Sequence, residues 1–178
     1  MVYILGAALP EGVSGHDMGR RLLRELWCRH GVGALPEILT EPMGKPYFVT
    51  GGFHFSITHT KRNAFCALAA VPVGLDAEEK DRTVRQTTAQ RALAPRERTA
   101  WEASKDPNGL FLRLWVVKEA WVKCTGAGLG DPRRVEVNPV TFQPGEGFRA
   151  ECFETSDCYL ALCLEKASRE KVTLEILP

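Results

Sequence analysis

Two acidic side chains follow an apolar segment near the middle of the chain. Asp76 and Glu78 belong to the run Gly74-Leu75-Asp76-Ala77-Glu78-Glu79, which is predicted to end a β-strand. Residues two apart on a strand point to the same face, so these carboxylates are expected to project together. Their mutual repulsion favours a divalent cation between them, and ligands that are all oxygens favour magnesium over zinc. Taken alone, the pair also fits acids that are merely solvated.

A tryptophan, an acid and a base share one face of a predicted helix. Trp115, Glu119 and Lys123 are spaced four residues apart, which places them on a single stripe. The simplest interpretation is a surface Glu119–Lys123 ion pair, with Trp115 packed into the core. Alternatively, Glu119 is a third carboxylate for the cation of Asp76 and Glu78, and Lys123 contacts a phosphate.

Hydroxyl, imidazole and basic groups follow one another at the end of a predicted strand. The run Thr58-His59-Thr60-Lys61-Arg62 supplies donors that suit phosphate oxygens. A histidine in a turn is more often a surface residue, so this segment is suggestive only in combination with others. Lys45, held in the proline-stiffened turn Gly44-Lys45-Pro46, is a further candidate donor.

These motifs, in this order, resemble those of the 4′-phosphopantetheinyl transferases. The type it most resembles is the surfactin-synthetase-activating one, in which a single chain holds two pseudo-symmetric halves. The trimeric holo-acyl-carrier-protein-synthase type begins near the Gly-x-Asp strand, whereas here residues 1–73 precede it. The matching stretches are Gly44-Lys45-Pro46, Thr58-His59-Thr60, Gly74-Leu75-Asp76-Ala77-Glu78 and Trp115–Lys123, followed by Thr125-Gly126-Ala127-Gly128-Leu129.

The resemblance implies transfer of the phosphopantetheine arm of coenzyme A to a serine of an apo acyl or peptidyl carrier protein. It implies that Asp76, Glu78 and Glu119 hold Mg²⁺, or alternatively Mn²⁺, against the diphosphate of coenzyme A. Glu119 would also help to deprotonate the serine, and Lys123 would stabilise the diphosphate. Asp76, Glu119 and Lys123 are therefore the predicted catalytic residues.

The same resemblance assigns the remaining basic and hydroxyl groups to coenzyme A. Thr58 and His59 would contact its phosphates, Lys45 would lie near the 3′-phosphate or the adenine, and Arg62 and Lys123 complete the set. Thr58 and Thr60 stand where the family usually has serines, which keeps the hydroxyls but adds methyl groups.

The elements that must position these residues are predicted to form two similar halves. Each would run from a strand through a helix and a turn to two further strands, and Asn63–Leu68 resembles Asp157–Leu162 in pattern. We therefore predict an α+β fold of two pseudo-symmetric lobes, 1–70 and 71–178, with the active site between them. Each lobe would be a small, mostly antiparallel sheet packed on helices.

Several boundaries are specific enough to be tested by a structure. Asp17 is expected to cap a first helix that stops at Gly31, and Gly51-Gly52 is expected to form a turn. A helix is predicted around Arg91–Ala103, and Asn108-Gly109 is predicted to break the chain before a helix over Phe111–Cys124. The remaining predicted strands are Val2–Leu5, Phe53–Ile57, Asn63–Val71, Val73–Ala77, Tyr159–Leu164 and Val172–Leu177.

The composition is that of an ordinary globular protein. The chain has 178 residues, 44% of them hydrophobic and 25% charged, with a net charge of +1. No overall field suggests nucleic-acid or membrane binding. The six cysteines lack metal spacing and are expected to be reduced thiols in a cytoplasmic protein. We also expect no signal peptide, no membrane span and, from the single-chain type, a monomer.

Two other functions remain open at this stage. One is a different magnesium-dependent phosphoryl or diphosphate hydrolase. The other is a non-catalytic module that binds coenzyme A or a carrier protein. Arg20, Arg21 and Arg24 on the first helix form a basic face that is either solvated or used to steer an acidic partner.

Overall fold

The computed structural model describes residues 1–50, 52–128, 130–145 and 147–178. A 3₁₀ turn lies at Pro132–Arg134. In chain order the elements are β1 (Val2–Ala8), α1 (Gly15–His30), β2 (Ile38–Thr40), β3 (Pro46–Phe48), β4 (His54–His59), β5 (Asn63–Ala69), β6 (Val73–Glu79), α2 (Gln86–Ala92), α3 (Pro95–Glu102), α4 (Pro107–Thr125), β7 (Phe148–Glu154), β8 (Cys158–Glu165) and β9 (Val172–Ile176).

The strands form two principal sheets, which confirms the predicted α+β class. One sheet has the order β4-β5-β1-β9, and the other has the order β6-β8-β7. All neighbours are antiparallel except β1 and β9, which are parallel. Because β9 comes from the end of the chain, the first sheet is built from both ends of the sequence. The division into lobes 1–70 and 71–178 stays a prediction.

The two halves repeat one arrangement. The order β4-β5-β1 in the first sheet matches β7-β8-β6 in the second, with α1 and α4 in corresponding places. The turns before the central strands are also alike. The Thr60 amide donates to the carbonyl of Asn63 at 2.8 Å, and the Thr155 amide donates to the carbonyl of Cys158 at 3.0 Å. The hydroxyls of Thr60 and Thr155 each accept the return hydrogen bond from those same residues.

The repeat has a different register from the one that the sequence pattern indicates. These turns align Asn63 with Cys158, not with Asp157. In this register Phe65 corresponds to Leu160, and both lie in the cluster between the sheets. In the predicted register, corresponding side chains of the two halves would lie on opposite faces of their sheets. Because strand side chains alternate, a slip of one residue exchanges the two faces.

Three hydrophobic clusters hold the sheets and helices against one another. One lies between the two sheets, and it includes Ile4 of β1 and Leu75 of β6. A second packs α1 against the outer face of the first sheet, with Leu5 and Leu23 among its residues. The third packs α4 on the second sheet. Alternation along β1, with Ile4 inward and Leu5 towards α1, is the pattern of a strand buried on both faces.

The first helix ends where predicted but begins differently. Gly31 is the C-cap of α1, as expected. The N-cap is Ser14, whose hydroxyl accepts a hydrogen bond from the Asp17 amide at 3.0 Å, so the prediction that Asp17 caps this helix is wrong. Asp17 lies in the first turn, where its negative charge interacts favourably with the helix dipole.

Of two predicted boundaries in the second half, one is partly right and one is wrong. The helix predicted around Arg91–Ala103 corresponds to α3, but α3 begins only at Pro95, because a proline disfavours helical geometry in the residue before it. Asn108-Gly109 does not break the chain but lies in the first turn of α4. There the Gly109 amide donates to the Asp106 carboxylate at 2.9 Å, and a Cβ at Gly109 would collide with that side chain.

Some elements were not predicted, and one predicted residue falls outside the structure. Strands β2, β3 and β7 had no prediction. Gly51 of the expected Gly51-Gly52 turn lies outside the described residues, while Gly52 has a φ of 65°. None of the described helices is long and apolar enough to span a bilayer.

Candidate functional site

A close crossing of β6 and α4 brings the predicted acids and lysine together. Gly74 of β6 lies directly against the last turns of α4, where a Cβ would collide with the carbonyl oxygen of Ala120. Only glycine permits this approach. Two residues further along β6, Asp76 accepts a hydrogen bond from Lys123 of α4, with 2.6 Å between Nζ and Oδ1.

Asp76 is the centre of the cluster. It is 7% exposed, and its Oδ1 also accepts a hydrogen bond from the Thr58 hydroxyl at 3.0 Å. Because Thr58 belongs to β4 of the first half, this carboxylate is contacted from both halves of the molecule. The ion pair with Lys123 and the hydrogen bond from Thr58 both end on Oδ1 of this carboxylate.

Glu78 and Glu119 lie close enough to Asp76 for its charge to raise the pKa of both. Burial and, next, the charge of the Asp76 carboxylate raise the pKa of Glu119 to about 7, against the opposing charge of Lys123. Burial likewise raises the pKa of Glu78, which Arg82 counteracts through a short ion pair. The three predicted metal ligands therefore share one electrostatic environment.

Two of these three acids, Asp76 and Glu78, are paired with protein cations. Within residues 1–50, 52–128, 130–145 and 147–178, no three His, Cys, Asp or Glu side chains converge at metal-ligand spacing. Lys123 holds Asp76, and Arg82 holds Glu78. The donor set is nevertheless all oxygen, half-buried and mutually repulsive, which is the chemistry that suits a hard divalent cation.

Two separate cavities flank the Asp76 cluster, one bordered by Glu78 and the other by Lys123, and together they are called the cleft here. His59 and Arg62 lie at the first of these cavities. Both line a cavity of about 730 Å³, which Glu78 and Arg82 also border. His59 packs on Gly15 at the start of α1, where a Cβ would collide with its ring. The Arg62 guanidinium is paired with Asp81 at 2.8 Å and with Glu79 at 3.3 Å, and it remains half exposed.

Lys45 lies at the second cavity of the cleft. Its Nζ donates to the carbonyl of Cys124 at 2.7 Å, at the end of α4. Lys45 and Lys123 line a common cavity of about 270 Å³, together with Gly126 and Gly128. The structure thus separates Lys45 from His59 along β4, with the Asp76 cluster between them. Leu129, the last residue of the fifth motif stretch, lies outside the described residues.

Two residues of this region have contacts that sequence reasoning did not anticipate. Arg82 follows Glu78 by four residues and pairs with it, but it lies beyond the end of the strand, where the spacing rule for helices gave no reason to join them. Ser56 accepts a hydrogen bond from the Leu75 amide at 2.9 Å and so joins β4 to β6.

Lys118 was part of a recognised motif without an assigned role. It is buried and pairs with Glu97 of α3 at 2.8 Å, away from the cleft. Nothing in local spacing indicates this partner, because 21 residues separate the two along the chain.

Comparison with known proteins identifies the family of this arrangement. Residues 72–174, more than half of the chain, match the model of the 4′-phosphopantetheinyl transferase superfamily. The 4′-phosphopantetheinyl transferase HetI of Nostoc sp. is 28% identical over 148 residues, which cover 77% of this chain and 62% of that protein. The 4′-phosphopantetheinyl transferase gsp of Aneurinibacillus migulanus is 31% identical over 135 residues, covering 70% and 56%.

A third relative matches over a shorter stretch. A 4′-phosphopantetheinyl transferase of Bacillus subtilis is 36% identical over 94 residues, which cover 50% of this chain and 41% of that protein. The matched part of the chain thus spans between 41% and 62% of the length of these relatives.

Proposed function

The chain belongs to the 4′-phosphopantetheinyl transferase superfamily, and we propose that it transfers the 4′-phosphopantetheine arm of coenzyme A to a serine of an apo carrier protein. The observation that carries this proposal is the Asp76–Lys123 pair at the crossing of β6 and α4. It lies beside Glu119, in a cleft lined by basic groups from both halves. The names of the relatives support the same reaction.

Different residues of the cleft would contact different parts of coenzyme A. Lys123 would turn from Asp76 to the diphosphate, since its side chain is already one-third exposed. Lys45 and His59 lie on opposite sides of Lys123 along β4, so they would hold the ends of the nucleotide portion. Arg62 joins this set by exchanging Asp81 or Glu79 for a phosphate, which its half-exposed guanidinium permits.

The acids Asp76, Glu78 and Glu119 would hold the divalent cation. When bound, Mg²⁺ or Mn²⁺ neutralises charge on the diphosphate and on the leaving 3′,5′-ADP. The fit rests on the chemistry of the donor set, three carboxylates whose mutual repulsion contributes to the raised pKa values of Glu78 and Glu119. Arg82 pairs with Glu78 and Lys123 with Asp76, so both cations would have to give way to the metal.

The transfer itself needs one proton acceptor and charge stabilisation. The carrier serine oxygen forms a bond to the phosphorus that bears the pantetheine arm, and the bond from that phosphorus to 3′,5′-ADP breaks with its electron pair. The serine proton passes to Glu119, directly or through water, with this carboxylate acting as the general base. Lys123 stabilises the charge on the transferring group.

The partner and setting follow from the same proposal. Acyl or peptidyl carrier proteins and coenzyme A would be the binding partners. A monomer is sufficient, because both sides of the cleft come from one chain. We place the protein in the cytoplasm, where Cys66, Cys158 and Cys163 would remain buried, reduced core residues.

The direct test is intact-mass spectrometry of several apo carrier proteins after incubation with the chain, Mg²⁺ and coenzyme A. We expect the mass of at least one carrier to rise by one phosphopantetheine, with matching release of 3′,5′-ADP. Asp76→Ala and Glu119→Ala should abolish both signals, whereas Glu102→Ala, an exposed change on α3, should not. Chelation of the metal should stop the reaction without unfolding the protein.

The alternatives give different results in the same assay. Release of 3′,5′-ADP without any carrier would indicate a hydrolase. Binding of coenzyme A with no product from any carrier would indicate a non-catalytic module. Full activity in both Asp76→Ala and Glu119→Ala would overturn the assignment of the metal ligands.

A further inference from the structure

Two hydroxyl side chains of β4 reach across to β6. Ser56 and Thr58 are two residues apart on the strand and therefore point to the same face. Both are buried, at 6% and 5% exposure. Ser56 accepts from the Leu75 amide at 2.9 Å, and Thr58 donates to Oδ1 of Asp76 at 3.0 Å. They join the two halves next to the predicted metal ligand.

The hydrogen bond from Thr58 has a definite direction. A hydroxyl carries a single proton, and a charged carboxylate only accepts, so Thr58 is the donor. Its proton is thereby committed to Asp76 and is not available to a phosphate oxygen. Lys123 contacts the same Oδ1, and in the described part of the chain no hydrogen bond reaches Oδ2 of Asp76.

We propose that Thr58 is a positioning residue that orients the Asp76 carboxylate for a divalent cation, and that it does not bind the phosphates of coenzyme A. This inference rests on the proposed function. When Lys123 turns to the diphosphate, Thr58 is the remaining protein donor that the structure shows on this carboxylate. It would keep Oδ1 fixed and leave Oδ2 for the metal.

Threonine suits this position better than serine would. A β-branched side chain on a strand has few χ1 states, so the hydroxyl is held in one direction. The replacement of the serine usual in this family therefore stiffens the donor without removing it.

The test measures metal binding apart from transfer. Free Mn²⁺ is followed by electron paramagnetic resonance in solutions of Thr58→Val, Thr58→Ser and the wild type, without coenzyme A or carrier. We expect Thr58→Val to weaken Mn²⁺ binding by roughly 10-fold or more, as is usual for partners that orient a ligand. Thr58→Ser should stay within about threefold of the wild type, since it keeps the donor. Thr173→Val, on β9 and remote from the cleft, is the matched control.

A second measurement separates this role from phosphate binding. Coenzyme A binding in the presence of a chelator should be the same for Thr58→Val and the wild type. Weaker coenzyme A binding together with unchanged Mn²⁺ affinity would overturn the proposal, as would Mn²⁺ affinity unchanged in every variant. If Thr58→Val does not fold, Thr58→Ala supplies the same comparison without the added bulk.

Failure of the Thr58 proposal and failure of the proposed function can be told apart by these measurements. A wild type that binds Mn²⁺ but modifies no carrier contradicts the transferase proposal and leaves the Thr58 result to be judged alone. A wild type that modifies carriers, with Thr58→Val binding Mn²⁺ normally, contradicts only the role of Thr58.

Discussion

Helix α4 carries two lysine–carboxylate pairs, Lys118 with Glu97 and Lys123 with Asp76, and they differ in burial and in the number of contacts. Lys118 and Glu97 are 1% and 0% exposed, whereas Lys123 is 32% exposed. Lys118 donates to Glu97 at 2.8 Å, to the carbonyl of Pro132 at 3.0 Å and to that of Val135. All three ammonium protons therefore have acceptors.

The acid of the buried pair is equally well satisfied. Glu97 accepts hydrogen bonds from the amides of Ala94 and Val137, each at 2.7 Å. Burial lowers the pKa of Lys118, and the carboxylate of Glu97 opposes that shift. The pair ties α3, α4 and the segment around Val135 together, and it has no capacity left for a ligand.

The half-exposed pair has the opposite character. Lys123 makes one ion pair, with Asp76, and retains donors and access to the cleft. The difference teaches that adjacent positions of one motif can serve structure and chemistry separately. Lys118 and Glu119 are neighbours in sequence, yet Lys118 is buried in an ion pair with Glu97, whereas Glu119 lies near Asp76, where we propose that it acts in the reaction.

Replacing the half-exposed lysine should produce the largest change in rate. Lys123→Met is expected to lower the transfer rate by about 10²–10³-fold, because it removes a preorganised positive charge from the transferring group. Stability should change by less than about 1 kcal/mol, since the pair is partly solvated. Steady-state kinetics and urea denaturation measure the two effects. Lys105→Met, at an exposed position, is the control, and an Lys123→Met protein that unfolds would contradict the comparison.

Replacing the buried lysine should reverse that pattern. Lys118→Met is expected to lower the free energy of unfolding by about 3–5 kcal/mol, because it leaves Glu97 charged, buried and unpaired. The folded fraction should keep a transfer rate close to that of the wild type, with activity normalised to the folded protein by circular dichroism. A stable Lys118→Met protein with strongly reduced activity would show that Lys118 takes part in chemistry.

A double replacement tests how the buried pair is held. Lys118→Met combined with Glu97→Leu should be less destabilised than the sum of the two single changes, since neither charge is left alone. Recovery should be incomplete, because the amides of Ala94 and Val137 lose their acceptor at a cost of about 1–3 kcal/mol each. A double-mutant cycle from denaturation data supplies the interaction energy, and strictly additive losses would argue against a coupled pair.

The smallest effect is expected at the ion pair of Glu78 with Arg82. Arg82→Ala should change stability by less than about 1 kcal/mol, because the Arg82 side chain is 42% exposed and water can replace it beside Glu78. Arg82 competes with a cation for Glu78, so its loss should lower the Mg²⁺ concentration for half-maximal rate by roughly fivefold at most. A higher Mg²⁺ requirement in the variant would show that Arg82 helps to hold the metal.

Much of the site was predictable from motif order, and the reason is local. Asp76 and Glu78 follow from strand periodicity, and Glu119 and Lys123 from helical spacing, so each pair is visible within a few residues. In the structure Lys123 contacts Asp76, and the charge of Asp76 raises the pKa of both Glu78 and Glu119. Their roles remain proposals that the experiments above examine.

Other parts depend on contacts between distant segments, which spacing does not encode. Glu97 and Lys118 meet only because α3 folds back on α4. The register of the repeat depends on which face of each strand is covered. The one-residue error arose because the two segments were aligned by residue type, without regard to the face of the sheet on which each side chain lies. In the observed register Val2 corresponds to Val73, so Asp76 occupies the place of Leu5. The duplicated unit thus carries its carboxylates in the second half.

The predicted helix boundaries differ from the observed ones where a single residue overrides the helical or turn composition of its segment. Pro95 divided a stretch with good helical composition into α2 and α3. Asn108-Gly109 looked like a turn, but Asp106 caps the helix and needs the space that Gly109 leaves. Such caps depend on one side chain reaching one amide, which composition does not reveal.

The central claim is that the cation and the diphosphate of coenzyme A meet where β6 crosses α4. The most direct measurement is an anomalous difference map from crystals grown with Mn²⁺ and coenzyme A. We predict one manganese peak bound by Asp76, Glu78 and Glu119, with Lys123 against the diphosphate. A manganese peak away from these carboxylates, or coenzyme A bound outside the cleft between Lys45 and His59, would contradict the account.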